Sequence, residues 1–504
     1  MEFLATIAAV GALLILTAWW RLRIPSNFPK NIPSLPFYVS LLGIWVRAGH
    51  AEIYDRWVRE PVEKYGAVNL WYGGRWNVLV AKPEYLNDLF KNDSTYVKAG
   101  NAFKVPWALS GVHLGSNIIS VHGETWKLYS SIMRPGIQKG SVDTGNLVSS
   151  SRRLISAIMR NQKEVGENHG VEVDRLCQQW TIQVVGENFL GTDFQSLENG
   201  RTERITYLHT VIKQNIFSPL FMHFPFLDRY QYIIPSRRQA FRFAKEFDDL
   251  LYNTVRSRPR TRPNNSDIPQ ERQVIDDLED ALINGKITEF QFRANVRIIF
   301  FAGHEDVQQL LDSAFYQLGV NTDKQDQLRQ EVLSTGSTEP SATLVDSMPY
   351  LTSVVFELLR LYPPLPQLVN HVALEPSVLG GKIAIPAKTY IGWNAFGVQT
   401  NKSIWGEDAR EFEPTRWGST VDSIRAKFRR ENARGAYIPF TAHARKCLGQ
   451  GFALVQMKIV LFELVRLLEW KIDPRYKLKL TVAGLLRPLG CPLIFKERAS
   501  GVLE

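Results

Sequence analysis

A mainly α-helical globular domain with small β-sheets, set behind one N-terminal membrane helix, is the fold class this sequence predicts. Three observations predict it. Residues 3–20, FLATIAAVGALLILTAWW, carry no charge. Helical periodicity dominates most of the chain beyond them. Strand-like runs are confined to two short stretches, AVNLWYGGRWNVLVAKP at 67–83 and VALEPSVLGGKIAIPAKTYIGWN at 372–394.

The uncharged run has about the length that crosses a bilayer as a helix, roughly 17–25 residues. Trp19 and Trp20 close it as an interfacial belt would, and Arg21, Arg23 and Lys30 follow. That positive flank places the rest of the chain on the cytosolic side. The basic n-region and small-residue cleavage site of a removable signal are missing, so a retained anchor over residues 1–23 is expected. Four prolines, Pro25, Pro29, Pro33 and Pro36, then stiffen a hinge over residues 24–36. Residues 37–504 form one globular domain. Within it, AEIYDRWVREPVEKYG reads as a helix ended by Gly66, and 67–83 as a hairpin turning at Gly73 and Gly74. A helix follows over 84–91, then mostly helices to about residue 346. The basic, proline-rich stretch 256–273 reads as a mobile loop.

Composition narrows the function classes. Hydrophobic residues make 45% of the 504 and charged residues 22%, an ordinary globular balance. Three cysteines exclude a disulfide framework and suit a reducing compartment. The net charge of +10 favours an anionic neighbour, a membrane surface or an acidic protein. No basic run interleaved with aromatics points to nucleic acid.

One cysteine stands apart. An arbitrary free cysteine is usually a small packed hydrophobe, and Cys177 and Cys491 fit that. Cys447, in FTAHARKCLGQG, has Arg445 and Lys446 beside it and a long helical segment directly after it. A cation and a helix N-terminus both favour a thiolate. Gly449 and Gly451 leave room for a flat group against the backbone. A nucleophile would need a base, and His443 is awkwardly placed in the same tight loop. No cysteine or histidine cluster stands nearby for zinc. A single thiolate on haem iron fits this set best.

The segment resembles the haem-binding loop of the cytochrome P450 family, Phe-x-x-Gly-x-Arg-x-Cys-x-Gly. Phe440, Arg445, Cys447 and Gly449 match, and His443 replaces the loop glycine. FELLR supplies Glu357 and Arg360, similar to the family's Glu-x-x-Arg pair, and FEPTRW supplies Arg416, its third partner in a structural ion triad. The resemblance spans the globular domain, and the anchor is similar to that of microsomal members. It implies a P450-like fold and haem b with Cys447 as axial ligand. It implies electrons from NADPH through a separate NADPH-cytochrome P450 reductase, contact with membrane lipid, and a catalytic domain on the cytosolic face of the endoplasmic reticulum. No dinucleotide fingerprint occurs in this chain itself.

Two parts of the pattern depart from the family. TEFQFRANVRIIFFAGHEDVQQLLDSAFYQL reads as a helix of about 30 residues, apolar until His304, Glu305 and Asp306. AGHED is similar to the family's Ala-Gly-x-Asp/Glu-Thr stretch, which delivers protons for dioxygen activation. Glu305 matches the acid, while Asp306 stands where the threonine hydroxyl would be; both are candidate catalytic residues. The second departure concerns the haem propionates. Trp126 matches the family's Trp-x-x-x-Arg, but Ser130 takes the arginine position, with Lys127 or Arg134 to compensate. After YPPLPQLVN, His371 stands where another arginine is expected.

The pocket expected by position is apolar, drawn from 103–119, 300–303, 365–368 and 484–490, with Trp107, Phe301 and Leu485 prominent. Residues 217–227, FSPLFMHFPFL, read as an apolar loop touching the bilayer. The resemblance, closest in impression to fungal secondary-metabolism members, implies a monooxygenase acting on a small hydrophobic substrate, aromatic ones included. The alternatives are oxidative coupling or rearrangement without oxygen insertion, and a silent haem-binding membrane protein.

Overall fold

The structure, a computed structural model, describes residues 22–42, 48–138, 144–198, 203–258, 272–481 and 484–498, with a few isolated positions elsewhere. Nearly all of the expected anchor, 1–23, and residues 259–271 of the expected loop lie outside the described residues. Among those described, no helix is long and apolar enough to cross a membrane.

Among the described residues, the long helices include α1 (Gly123–Ile137), α2 (Thr144–Val165), α3 (Asp174–Val185), α4 (Glu203–Ile216), α5 (Pro235–Arg256), α6 (Glu289–Val320), α7 (Pro349–Leu361) and α8 (Gln450–Leu467). The first expected helix runs from His50 to Tyr65 through a π-helical turn, and Gly66 ends it at φ +81°. The hairpin pairs β1 (Ala67–Tyr72) with β2 (Arg75–Val80), Tyr72 opposite Arg75. Gly73 and Gly74 both take positive φ, as a two-residue turn matching the strand twist requires.

Three small sheets carry the strands β3 (Tyr96–Lys98), β4 (Val171–Glu172), β5 (Gln367–Ala373), β6 (Ser377–Leu379), β7 (Ile383–Ile385), β8 (Tyr390–Asn394), β9 (Leu468–Ile472) and β10 (Pro492–Glu497). The largest has the order β1-β2-β8-β5-β3, with β2 and β8 parallel. The stretch 372–394 thus holds three strands and the end of a fourth, divided between two sheets.

Helix α6 runs through the centre. Thr288 and Gln291 form a reciprocal capping box at its start, which satisfies two otherwise orphaned backbone donors. Its buried residues lie on all sides, as expected of a helix enclosed by others. Gly303 has a packing reason: a Cβ there would meet Val185 Cγ2 of α3 at 2.8 Å.

Candidate functional site

The loop before α8 places Cys447. Its backbone N–H donates to Phe440 O at 3.0 Å, folding residues 440–447 back on themselves. The fold needs left-handed backbone at Thr441 and His443, with φ +57° and +59°. This explains the glycine expected at the second position. His443 adopts the same conformation, and its ring Nε2 lies 2.6 Å from Asn87 Oδ1 on the neighbouring helix Pro83–Lys91.

Cys447 opens onto an internal cavity. The roof is α6, through Ile298, Ala302, Gly303 and Asp306. The floor is the cysteine loop and the start of α8, with Gly449 and Phe452. Trp126, Leu365, Leu368 and Trp393 close the sides. Ile118, Ile119 and Phe189 complete an apolar wall. Trp107, Phe301, Leu485 and the 484–490 segment, expected as pocket residues, are not among the lining residues. Arg229 lies over the Trp107 ring at 4.0 Å, and Phe301 packs against His113 and His209.

The source of thiolate stabilisation differs from expectation. Arg445 is engaged elsewhere: Nη2 donates to Val121 O at 2.8 Å, and its guanidinium lies 4.5 Å from the Trp126 ring centroid. Burial pushes the Cys447 thiol up to about 11, against the backbone N–H groups of Gly449 and Gln450, which favour the thiolate. A bound metal would supply the charge that favours a Cys447 thiolate.

The donor set fits haem. A tetrapyrrole brings one thiolate-seeking iron, an apolar face and two carboxylates. Below the cavity stands one cysteine. At its edge stand Lys98 and Arg445, neither with a carboxylate within ion-pair distance among the described residues. Lys98 is buried, and burial plus the nearby Arg445 charge lower its ammonium to about 7. Two basic side chains at the cavity edge, with Asp93 only a more distant acidic neighbour of Arg445, suit the two propionates. Sequence reasoning missed Lys98; its only signal was one cation inside a short strand. His371 is its direct cross-strand partner on β5, but is buried near Phe90 and is not a lining residue. Lys127 is exposed and paired with Glu124, and Arg134 donates to Ser130 Oγ at 3.1 Å, so neither reaches the cavity edge.

Lys98→Met is accordingly expected to loosen haem by about 10–100-fold, the worth of one charge-assisted hydrogen bond. Haem transfer to an excess of apomyoglobin measures it. An unchanged transfer rate would remove Lys98 from the site.

The two candidate acids separate. Asp306 lines the cavity, and burial together with the neighbouring Glu305 charge raises its carboxyl to about 7. Glu305 is not a lining residue. Its Oε1 lies 2.9 Å from Lys213 Nζ and 2.5 Å from His209 Nε2, both on α4. Burial alone would raise its pKa, yet Lys213 and His209 hold it below the usual range.

The ion triad is assembled on the far side of α7. Arg360 Nε and Nη2 donate to both oxygens of Glu357, at 2.8 and 2.7 Å. Arg416 Nε donates to Glu357 Oε1 at 3.3 Å, and Trp417 Nε1 to Oε2 at 3.0 Å. Arg360 also donates to the carbonyls of Gln399, Ala409 and Glu411. Glu357 and Arg360 are 0% exposed. Cys177 is packed in the core and Cys491 is partly buried against it.

A family model described as Cytochrome P450 matches residues 33–490. The chain is 48% identical over 476 residues to Cytochrome P450 monooxygenase xanG of Aspergillus fumigatus, covering 94% of this chain and 88% of that protein. It is 36% identical to Cytochrome P450-DIT2 of Saccharomyces cerevisiae, with 94% of each covered. Secologanin synthase 1 of Catharanthus roseus is 24% identical over 88% of this chain and 83% of its own length.

Proposed function

The chain belongs to the cytochrome P450 family, and from this we propose that it oxidises a hydrophobic secondary-metabolite intermediate as a membrane-anchored haem-thiolate monooxygenase. Electrons come from NADPH through a separate reductase, and the catalytic domain sits on the cytosolic face of the endoplasmic reticulum. The observation that carries this reading is one enclosed apolar cavity with Cys447 at its floor and Asp306 at its roof.

When bound, haem iron held by a cysteine thiolate would supply the activation of dioxygen. Cys447 Sγ would hold the iron. Lys98 and Arg445 would hold the propionates, with Trp126 packed on the Arg445 guanidinium. Phe440 and Gly449 shape the loop that would receive the group. Ile118, Ile119, Phe189, Leu365 and Leu368 bind the substrate and exclude water, which keeps protons from reaching the centre except through positioned groups. Asp306 is the group placed to move a proton there. Burial, helped by the negative charge of Glu305 beside it, raises Asp306 to about 7, so that it can hold a proton near neutrality. Glu357, Arg360 and Arg416 hold the surrounding fold.

Membrane contact draws support from one face of the domain. Leu220, Phe226, Tyr232 and Ile233 are exposed together within a short span. The tip of the β1–β2 hairpin packs at Pro225 and His223, and Trp76 Nε1 donates to Leu22 O at the end of the anchor. Deleting residues 1–23 is expected to release the protein from membranes with its haem spectrum intact, as measured by sedimentation. Tight association after truncation would make the 217–233 face the principal anchor.

Oxidative coupling is the second reading, favoured by one observation: a carboxyl, Asp306, in place of the usual hydroxyl. Turnover of apolar aromatic compounds with reductase and NADPH under isotopically labelled dioxygen separates the two. Labelled product supports oxygen insertion. Unlabelled dimeric product establishes coupling, and no turnover of any compound leaves a silent haem protein.

A further inference from the structure

We propose that His209, His304 and Glu305 form a binding site for a borderline divalent cation, Zn²⁺ being the best match, which clamps α4 to α6 beside the cavity. The three donor atoms, two imidazole Nε2 and one carboxylate oxygen, lie within 4.8 Å of one another. The two Nε2 atoms are 3.2 Å apart, and His209 Nε2 is 2.5 Å from Glu305 Oε1. Two ligand atoms on one tetrahedral zinc, each bonded at about 2.0–2.1 Å, stand about 3.3 Å apart, which the histidine pair meets, while the His209–Glu305 hydrogen bond would open by a little under about 1 Å on binding. A two-histidine, one-carboxylate set is a zinc donor set.

The hydrogen bonding favours a cation over a simple polar cluster. His304 Nδ1 lies 2.5 Å from Phe300 O, so it carries the proton and leaves a lone pair on Nε2. That arrangement, a ligand imidazole donating its other N–H to a carbonyl, is how ligating histidines are oriented. The lone pair points at His209 Nε2, whose single hydrogen the Glu305 carboxylate claims at shorter range. Apart from the Lys213 ammonium on Glu305, these three electron-rich atoms share one proton. Among the described residues His209 Nδ1 has no hydrogen-bond partner, and its ring packs among Phe247, Phe300 and Phe301.

Protonation suits ligation. Burial disfavours the charged form of both imidazoles. Glu305 is held ionised chiefly by the Lys213 ammonium despite burial. Neutral imidazoles and a charged carboxylate are the states a divalent ion requires. Lys213 is the competitor: its Nζ already sits on Glu305 Oε1, and its side chain is 23% exposed. The ammonium can swing to water as the ion enters, and the vacated place is open to a water as fourth ligand. The site stands apart from the haem centre and does not depend on the substrate assigned above. Its effect would reach the cavity through Asp306, the next residue on α6.

The test uses the tag-free, full-length holoenzyme, stripped with chelator and equilibrated with Zn²⁺ alone by dialysis. Zinc and iron are then counted together by mass spectrometry. One zinc per haem is expected in the wild type, and its loss in His209→Gln and His304→Gln. Lys213→Met removes the competing ammonium and should tighten zinc by about tenfold or more. This gain keeps the test decisive if either glutamine variant fails to load haem. Equal zinc in the wild type and both histidine variants would overturn the proposal, as would no zinc in the wild type and Lys213→Met.

Discussion

Asp306→Asn is expected to slow product formation by about 10²–10⁴-fold, the span of a lost general acid. The substitution keeps the size and the hydrogen-bonding reach of the side chain and removes only its titratable proton. Reductant consumption should fall less than product, with the difference recovered as reduced oxygen species. The pH dependence follows from the raised carboxyl. With Asp306 titrating at about 7 in the folded protein, the acid is protonated below that pH and lost above it. Product formed per NADPH should therefore be flat at lower pH, decline as pH rises through about 7, and lose that decline in Asp306→Asn. Asp306→Thr restores the family's hydroxyl and should keep much of the activity. Product per NADPH unchanged in Asp306→Asn would retire the proton role.

Glu357→Ala is expected to cost about 3–5 kcal/mol of stability, the cost of stripping a buried cation of its partner. Arg360 would remain fixed by the carbonyls of Gln399, Ala409 and Glu411, so it cannot leave for water, and its charge would stay in the core. Arg416 would keep Asp408 and is the less affected partner. Arg360→Ala leaves the Glu357 carboxylate with Trp417, the Glu413 N–H and Arg416, and should also be severe. Both variants should lower the yield of folded, haem-loaded protein and leave turnover per haem near wild type. Normal yield with lost turnover would contradict the structural role.

Local chemistry made much of the fold legible. The hairpin was readable because two adjacent glycines permit the positive φ its turn demands, and the first helix ended where Gly66 allows a left-handed cap. The cysteine loop was readable because its residues act within one short segment. What the chain alone could not resolve was orientation across elements. Glu305 and Asp306 are neighbours in sequence but about 100° apart around a helix. Only the position of α4, carrying Lys213 and His209, decides which acid turns to the cavity. The propionate groups posed the same difficulty. The missing arginines at Ser130 and His371 were visible, but Lys98, the residue proposed in their place, comes from another strand, through a register set by the sheet. Phe301 looked like a pocket residue by position, and the packing of α4 and α5 against α6 draws it to His209, His113 and Phe247 instead.

The central claim is that Cys447 holds haem iron as a thiolate, and the carbon monoxide difference spectrum of the reduced protein tests it most directly. The wild type should show the Soret shift characteristic of a thiolate ligand, as should Cys177→Ala and Cys491→Ala, whose sulfurs lie in or against the core. Cys447→Ala should lose that shift entirely. A thiolate-type spectrum that persists in Cys447→Ala would contradict the account.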